Sequence, residues 1–218
     1  MPPYRHIIWD WNGTLLDDAA TCVSILNEML AARNRQPITP KQYAEQFGFP
    51  VEAFYQVVGF DFASEPYPEV ARAFMEIYDS RRFACSLRAG AREALDVFAK
   101  LGLEQSILSA YKSQSLQESA DYFNLRSYFS ALRGLSDNLA ASKLENGRRL
   151  AAGLDCLPEQ ALLVGDTTHD AEVARATGLR CALVHSGHQS IPRLEATGAP
   201  VFSSLPELVA SVREKCGE

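Results

Sequence analysis

The stretch Ile7-Ile8-Trp9-Asp10-Trp11-Asn12-Gly13-Thr14 decides the fold. A short apolar run ends on an acid, and an Asn-Gly pair then forces a tight turn. Runs that are apolar throughout, rather than alternating, are those of strands buried on both faces, as in a parallel sheet. Two further runs have the same form, Gln105–Ser109 and Ala161–Asp166, each with a polar turn and a helical pattern behind it. Weaker strands are expected at Arg180–Val184 and Pro200–Phe202, and helices at roughly 90–101, 113–123, 142–152, 168–177 and 204–215. Strand and helix therefore alternate, which predicts an α/β fold with a doubly wound, Rossmann-like parallel sheet.

Ligands of such sheets bind outside the carboxyl ends of the strands, so Asp10, Ser109 and Asp166 should converge on one site. Between the first two strands the pattern changes. Helical periodicity runs through Ala19–Arg33, Lys41–Phe47 and Val70–Phe83, broken at Gln36-Pro37, Gly48-Phe49-Pro50 and Glu65-Pro66-Tyr67-Pro68. This predicts an inserted α-helical cap over residues 17–87, with the catalytic core built from residues 1–16 and 88–218. No internal repeat or low-complexity segment interrupts the chain.

The 218 residues, 47% of them apolar, suffice for a core domain with a smaller insert. A net charge of −6 and a pI near 5.3 argue against a nucleic-acid surface. Five dispersed cysteines without a C-x-x-C pair suit neither a disulfide framework nor a zinc site, and point to a reducing, cytoplasmic setting. No window approaches the length of a membrane span. The expected partner is a small molecule, and the expected state a monomer or homodimer.

Asp10, at a strand end where Gly13 lets a phosphate come close, has the placement of a carboxylate nucleophile. It has equally the placement of a cap. A second acidic cluster, Gly165-Asp166-Thr167-Thr168-His169-Asp170, sets two carboxylates four residues apart at a strand end and on the next helix. Such a pair, with a carbonyl and a substrate phosphate, would be enough for magnesium.

The ordered set of D-x-N-G-T-L at the first strand, Ser109 after Ile107-Leu108, Lys143 in Ala141-Ser142-Lys143-Leu144, and G-D-x-x-x-D resembles the four motifs of the haloacid dehalogenase superfamily. The run from Gly165 through Gly187-His188-Gln189 to Leu194 is further similar to its phosphoglycolate phosphatase-like branch. The resemblance implies a Mg2+-dependent phosphatase acting on a small phosphorylated metabolite through an aspartyl-phosphate on Asp10. It implies that Ser109 and the adjoining Ala110, with Gly13 and Thr14, hold the phosphoryl group, and that Lys143 neutralises charge between it and Asp10. Asp10, Asp166, Asp170 and the backbone carbonyl of Asn12 would hold the metal.

Asn12 departs from the pattern. Most phosphatases of the superfamily carry there a second aspartate, the general acid and base, and an amide has no proton to give. The loss should cost on the order of 10²–10⁴ in rate. Alternatives follow from it: a phosphate- or phosphoprotein-binding module without turnover, or a carbon–phosphorus hydrolase of the superfamily, which shares D-W-x-G-T but needs a cap lysine where this cap has only Lys41. Carbon–halogen hydrolysis ranks lower, since it would leave Asp166 and Asp170 without work. Asp17 and Asp18 read as helix-capping residues, and His169, His185 and His188 as loop or surface histidines. The cap aromatics Phe47, Phe49, Phe54, Tyr55, Phe60, Phe62 and Tyr67 read mostly as packing, except that Gly48-Phe49-Pro50 resembles a specificity loop.

Overall fold

A computed structural model describes residues 3–140, 142–185 and 187–217. Ala141, in the segment that carries Lys143, lies outside them. The chain runs β1 (His6–Trp9), β2 (Leu16–Asp17), α1 (Ala19–Ala31), α2 (Pro40–Gln46), α3 (Val51–Val57), α4 (Tyr67–Arg81), β3 (Ser86–Leu87) and α5 (Ala91–Lys100). It continues β4 (Glu104–Lys112), α6 (Ser113–Tyr122), β5 (Ala131–Leu135), α7 (Leu144–Ala152), β6 (Ala161–Gly165), α8 (Thr168–Thr177), β7 (Arg180–Val184), α9 (Ile191–Glu195), β8 (Val201–Phe202) and α10 (Leu205–Cys216).

Six strands form one parallel sheet in the order β5-β4-β1-β6-β7-β8. The two faces of β1 show why its residues are apolar throughout. Ile7 and Trp9 join a core with Leu95 and Phe98 of α5, Leu116 of α6 and Leu205 and Leu208 of α10. Ile8 points the other way, to Leu108, Leu163, Leu150 of α7 and Val173 of α8. Side chains alternate across a strand, so helices on both sides bury every residue of it. The sheet is doubly wound, as the sequence predicts.

Four helices, α1 to α4, leave and rejoin this core through the antiparallel pair β2/β3, where Leu16 faces Leu87. The helix expected to follow Tyr67-Pro68 begins at Tyr67 instead. Pro68 lies in its first turn, where the missing N–H has no intrahelical partner to lose. Five elements went unforeseen: the short strands β2 and β3, α3 after Pro50, α9, and β5, the half-buried edge strand Ala131-Leu132-Arg133-Gly134-Leu135. The second apolar strand also runs on past Ser109 to Lys112, with a register shift against β5 between Leu108 and Lys112.

Candidate active site

Asp10 follows β1, and its N–H donates to the Val164 carbonyl of β6 at 2.8 Å, so the strand carries the acid one residue beyond its own end. The Asp10 Oδ1 accepts from the Trp11 N–H at 2.8 Å and lies 2.9 Å from Lys143 Nζ. The same ammonium donates to the Leu108 carbonyl at 3.0 Å and lies 2.6 Å from Asp170 Oδ1. Lys143 is 1% exposed, not the solvated lysine its place before α7 also allowed. Burial alone would push its ammonium toward neutrality, but the two carboxylates outweigh that and raise its pKa.

Asp166 and Asp170 are both fully buried. The Thr167 N–H and hydroxyl donate to Asp170 Oδ2 at 3.0 and 2.6 Å, tying the acid to the start of α8. Its Oδ1 has Lys143 as ion-pair partner but accepts no hydrogen bond of good geometry. Asp166 accepts from the Thr14 hydroxyl at 2.9 Å and from the His188 N–H at 2.6 Å. One oxygen from each of Asp10, Asp166 and Asp170 lies within 4.8 Å of the others. Three buried carboxylates with one lysine are short of positive charge. Burial raises Asp10 to about 7 against the pull of Lys143, with Asp170 and Asp166 adding to the rise.

Glycine is required around these acids. A Cβ on Gly165 would stand 2.0 Å from Asp170 Cγ, and one on Gly187 2.1 Å from Asp166 Oδ2. Gly13, at φ +74°, would meet Asp166 Oδ2 at 2.2 Å and could not hold its backbone with a side chain. These are the clearances a compact cation cradle needs. The donor set, all oxygen, suits a hard divalent cation.

Several expectations for the first motif need correction. The Gly13 N–H is already bonded to Asp18 Oδ1 at 2.9 Å and to the Leu16 carbonyl at 3.0 Å, and the Thr14 hydroxyl is directed to Asp166. Both groups thereby set the acids, and neither residue lines the cavity. Ser109 and Ala110 do line the cavity above Asp10. Asp18 caps nothing with its side chain. It is fully buried and accepts from Asn12 Nδ2 at 2.7 Å, from the Tyr78 hydroxyl at 2.7 Å and from Gly13, and lies 3.3 Å from His188 Nε2. His188 reaches the Tyr43 hydroxyl with Nδ1 at 2.7 Å.

Asn12 is thus one member of a five-residue network, and its amide is the donor that a buried carboxylate demands. Burial would raise Asp18, yet His188 and the donors from Asn12 and Tyr78 hold it down at about 2. Burial would likewise lower His188, and Asp18 carries it up to about 9. The pair is an ion pair under the cavity, not a capping acid and a surface histidine. His169 is also buried: its Nε2 lies 3.3 Å from the Lys143 N–H, its Nδ1 3.2 Å from Glu172, and Phe49 stacks on it at 4.8 Å.

The helical insert closes over the site. The Phe47 carbonyl accepts from Gln189 Nε2 at 2.8 Å and from Arg193, and the Ser190 N–H donates to the Ala44 carbonyl at 3.0 Å. Beneath lies a cavity of about 130 Å³ bounded at one end by Asp10, Asn12, Asp18, Ser109 and Thr167. Phe47, Phe49, Phe54, Tyr55 and Tyr67, read mostly as packing, line it; Phe60 and Phe62 do not.

Residues 7–184 match the model of the haloacid dehalogenase-like hydrolases. The chain belongs to this family. Among its relatives, phosphoglycolate phosphatase 1 of Pseudomonas aeruginosa is 26% identical over 215 residues, covering 94% of this chain and 75% of that protein. In fold the haloacid dehalogenase-like chain is similar to a structure described as a predicted phosphatase from Clostridium acetobutylicum, with TM-score 0.83, 20% identity and 97% and 99% of the two chains covered. A predicted phosphoglycolate phosphatase from Haemophilus somnus superposes with TM-score 0.79 at 16% identity, covering 97% and 99%. The family fold thus extends over the insert as well as the sheet.

Proposed function

We propose that this chain is a magnesium-dependent phosphoric monoester hydrolase in which Asp10 takes the phosphoryl group from a small phosphorylated metabolite. The observation that carries the reading is the placement of Asp10 at the carboxyl end of β1, 2.9 Å from a buried Lys143 and beside Asp166 and Asp170, at the polar end of the cavity. Similarity to phosphoglycolate phosphatases supports phosphate monoesters as the substrate class.

Asp10, Asp166, Asp170 and the Asn12 carbonyl would hold the metal, which would supply positive charge against the phosphoryl oxygens and align them for attack. Asp10 Oδ2, the oxygen that carries neither the Trp11 nor the Lys143 contact, attacks phosphorus, and the bond from phosphorus to the ester oxygen breaks. Lys143 balances the charge that this step moves onto the transferred oxygens, and its bonds to Leu108 and Asp170 keep it in place beforehand. Ser109 and Ala110 bound the phosphoryl pocket. Water then attacks the aspartyl-phosphate, giving inorganic phosphate and restoring Asp10. Asn12 neither protonates the leaving oxygen nor activates the water. Residues 17–87 act as a cap, closed on the core through Phe47 and Ala44, and exclude bulk water from the reaction.

A carbon–phosphorus hydrolase is disfavoured: Lys41, the cap's lysine, leaves its side chain 84% exposed beside Glu45. The five cysteines are all free, which supports a cytoplasmic placement, and among the described residues no helix is long and apolar enough to cross a membrane. Magnesium-dependent phosphate release from acetyl phosphate tests the reading, since the acetate of this mixed anhydride leaves without needing a proton. Release that Asp10→Asn abolishes is expected. Release unchanged in Asp10→Asn removes Asp10 from the mechanism, and magnesium-dependent binding without release would make the chain a phosphate-binding module.

A further inference from the structure

We infer that the group esterified to phosphate is an uncharged aromatic ring, so that the substrate is an aryl phosphate rather than phosphoglycolate or another ester with a second anionic group. This rests on the proposed hydrolase reading and adds a substrate class to it.

The cavity wall is the first observation. It carries nine aromatic side chains, Tyr43, Phe47, Phe49, Phe54, Tyr55, Tyr67, Phe74, Tyr78 and Tyr111, with Leu26, Val51 and Met75 between them, and no lysine or arginine. Its one imidazole, His188, has both ring nitrogens engaged, by Asp18 and Tyr43. A glycolate carboxylate entering here would meet as cation only the His188 imidazolium, already paired with Asp18, and would face the acids Asp10 and Asp18. Desolvating an unpaired carboxylate costs several kcal/mol in such surroundings. The phosphate dianion, at the opposite end, is matched by Lys143 and the metal.

The hydroxyls of the wall are the second. Tyr43 is bonded to His188, Tyr67 to the Leu139 carbonyl at 2.6 Å, Tyr78 to Asp18, and Tyr111 to Asp79 at 2.7 Å. Four of the wall's five tyrosine hydroxyls are thereby tied to protein partners, which leaves mainly ring faces and edges beside the Tyr55 hydroxyl and Asn138 Oδ1, the latter buried without a hydrogen-bond partner among the described residues. A polyhydroxylated sugar would find its donors and acceptors largely unmatched.

Asn12 supplies the third. With no acid to protonate it, the leaving oxygen must depart as an anion. A phenolate, of pKa about 10, does so far more readily than an alkoxide, whose acid is nearly as weak as water, at about 15.7. The departure at Asn12 and the aromatic wall thus select the same ester.

The test uses the full chain with magnesium. Inhibition constants for phenylphosphonate, methylphosphonate and phosphonoacetate, or their calorimetric dissociation constants if no turnover is found, read the cavity alone. Phenylphosphonate should bind at least about 10-fold more tightly than either of the others, from the ring area it buries. In turnover, kcat/KM for phenyl phosphate should exceed that for phosphoglycolate by about 100-fold or more. Met75→Lys, which places a cation in the wall, should shift that ratio toward phosphoglycolate. Methylphosphonate or phosphonoacetate binding as tightly as phenylphosphonate overturns the inference, as does phosphoglycolate matching phenyl phosphate. Asp10-dependent release from acetyl phosphate alongside either result leaves the hydrolase reading standing. Tight phenylphosphonate binding with no release from any ester upholds the aromatic ligand and removes turnover.

Discussion

Replacing Asn12 by aspartate restores the residue type that most phosphatases of the superfamily carry there, and sequence reasoning alone would expect a gain of about 10²–10⁴ in rate. The structure predicts otherwise. Asn12 Nδ2 stands 2.7 Å from Asp18 Oδ2 and 2.7 Å from the Tyr78 hydroxyl, and Asp18 is fully buried. Asn12→Asp deletes a hydrogen bond to a charged acceptor, worth about 1.5–3 kcal/mol, and sets two carboxylates face to face. Two like charges about 4 Å apart repel by about 4 kcal/mol in an effective dielectric of 20, and uptake of one proton by the pair relieves part of this. A net destabilisation of about 2–4 kcal/mol follows, roughly 4–16 °C in Tm for a chain of this size. Rate gain should stay below about 10-fold.

Exchanging the pair, Asn12→Asp with Asp18→Asn, keeps one amide facing one carboxylate and should recover at least about 1 kcal/mol relative to the sum of the single changes. Thermal unfolding of the four proteins of the cycle, together with phosphate release, checks both parts. A coupling below about 0.5 kcal/mol, or an Asn12→Asp protein as stable as the parent and 10²-fold faster, would refute the view that Asn12 belongs to the Asp18 network.

Gly165→Ala puts a Cβ 2.0 Å from Asp170 Cγ and should weaken magnesium binding by about 10-fold or more, read by calorimetry. Lys143→Met leaves Asp10 and Asp170 without their buried partner. It should cost about 3–5 kcal/mol in chemical denaturation as well as the activity, whereas a surface lysine would cost almost nothing. The Asp18–His188 pair also sets a pH window. Asp18, held at about 2, contributes stability above its unfolded value of 3.8 that is lost as pH falls toward 2. His188, at about 9, contributes stability in full below its unfolded value of 6.5 that is lost as pH rises through 9. The stability gap between the parent and His188→Gln in chemical denaturation should therefore be largest between pH 4 and 6.5, on the order of 3 kcal/mol, and shrink by pH 10. A gap that grows with pH would contradict the ion pair.

What was legible in the sequence is what is local. Buried parallel strands are apolar without alternation, and the neighbouring strands β4, β1 and β6 bring Ser109, Asp10 and Asp166 to the same side of the sheet, at or near their carboxyl ends, so both fold and acids could be read from short segments. The Asp18 network was not legible, because its members stand at 12, 18, 43, 78 and 188 and meet only once the insert folds over the core. An Asp just before a helix is the usual signature of a cap, and nothing local distinguishes Asp18 from one. The same holds for the contacts of Gly13 and Thr14, whose polar groups are directed at Asp18 and Asp166. Edge strand β5 escaped because its residues are only half buried and include Gly134, so neither alternation nor an apolar run marks it.

The claim on which everything else stands is that Asp10 carries the phosphoryl group. Acid-quenched turnover of acetyl phosphate or phenyl phosphate with magnesium, followed by peptide mass spectrometry, tests it directly. A phosphoryl adduct on Asp10, long-lived because Asn12 cannot activate water and absent from Asp10→Asn, is the predicted result. Phosphate release that continues in Asp10→Asn, or an adduct on any other residue, would contradict it.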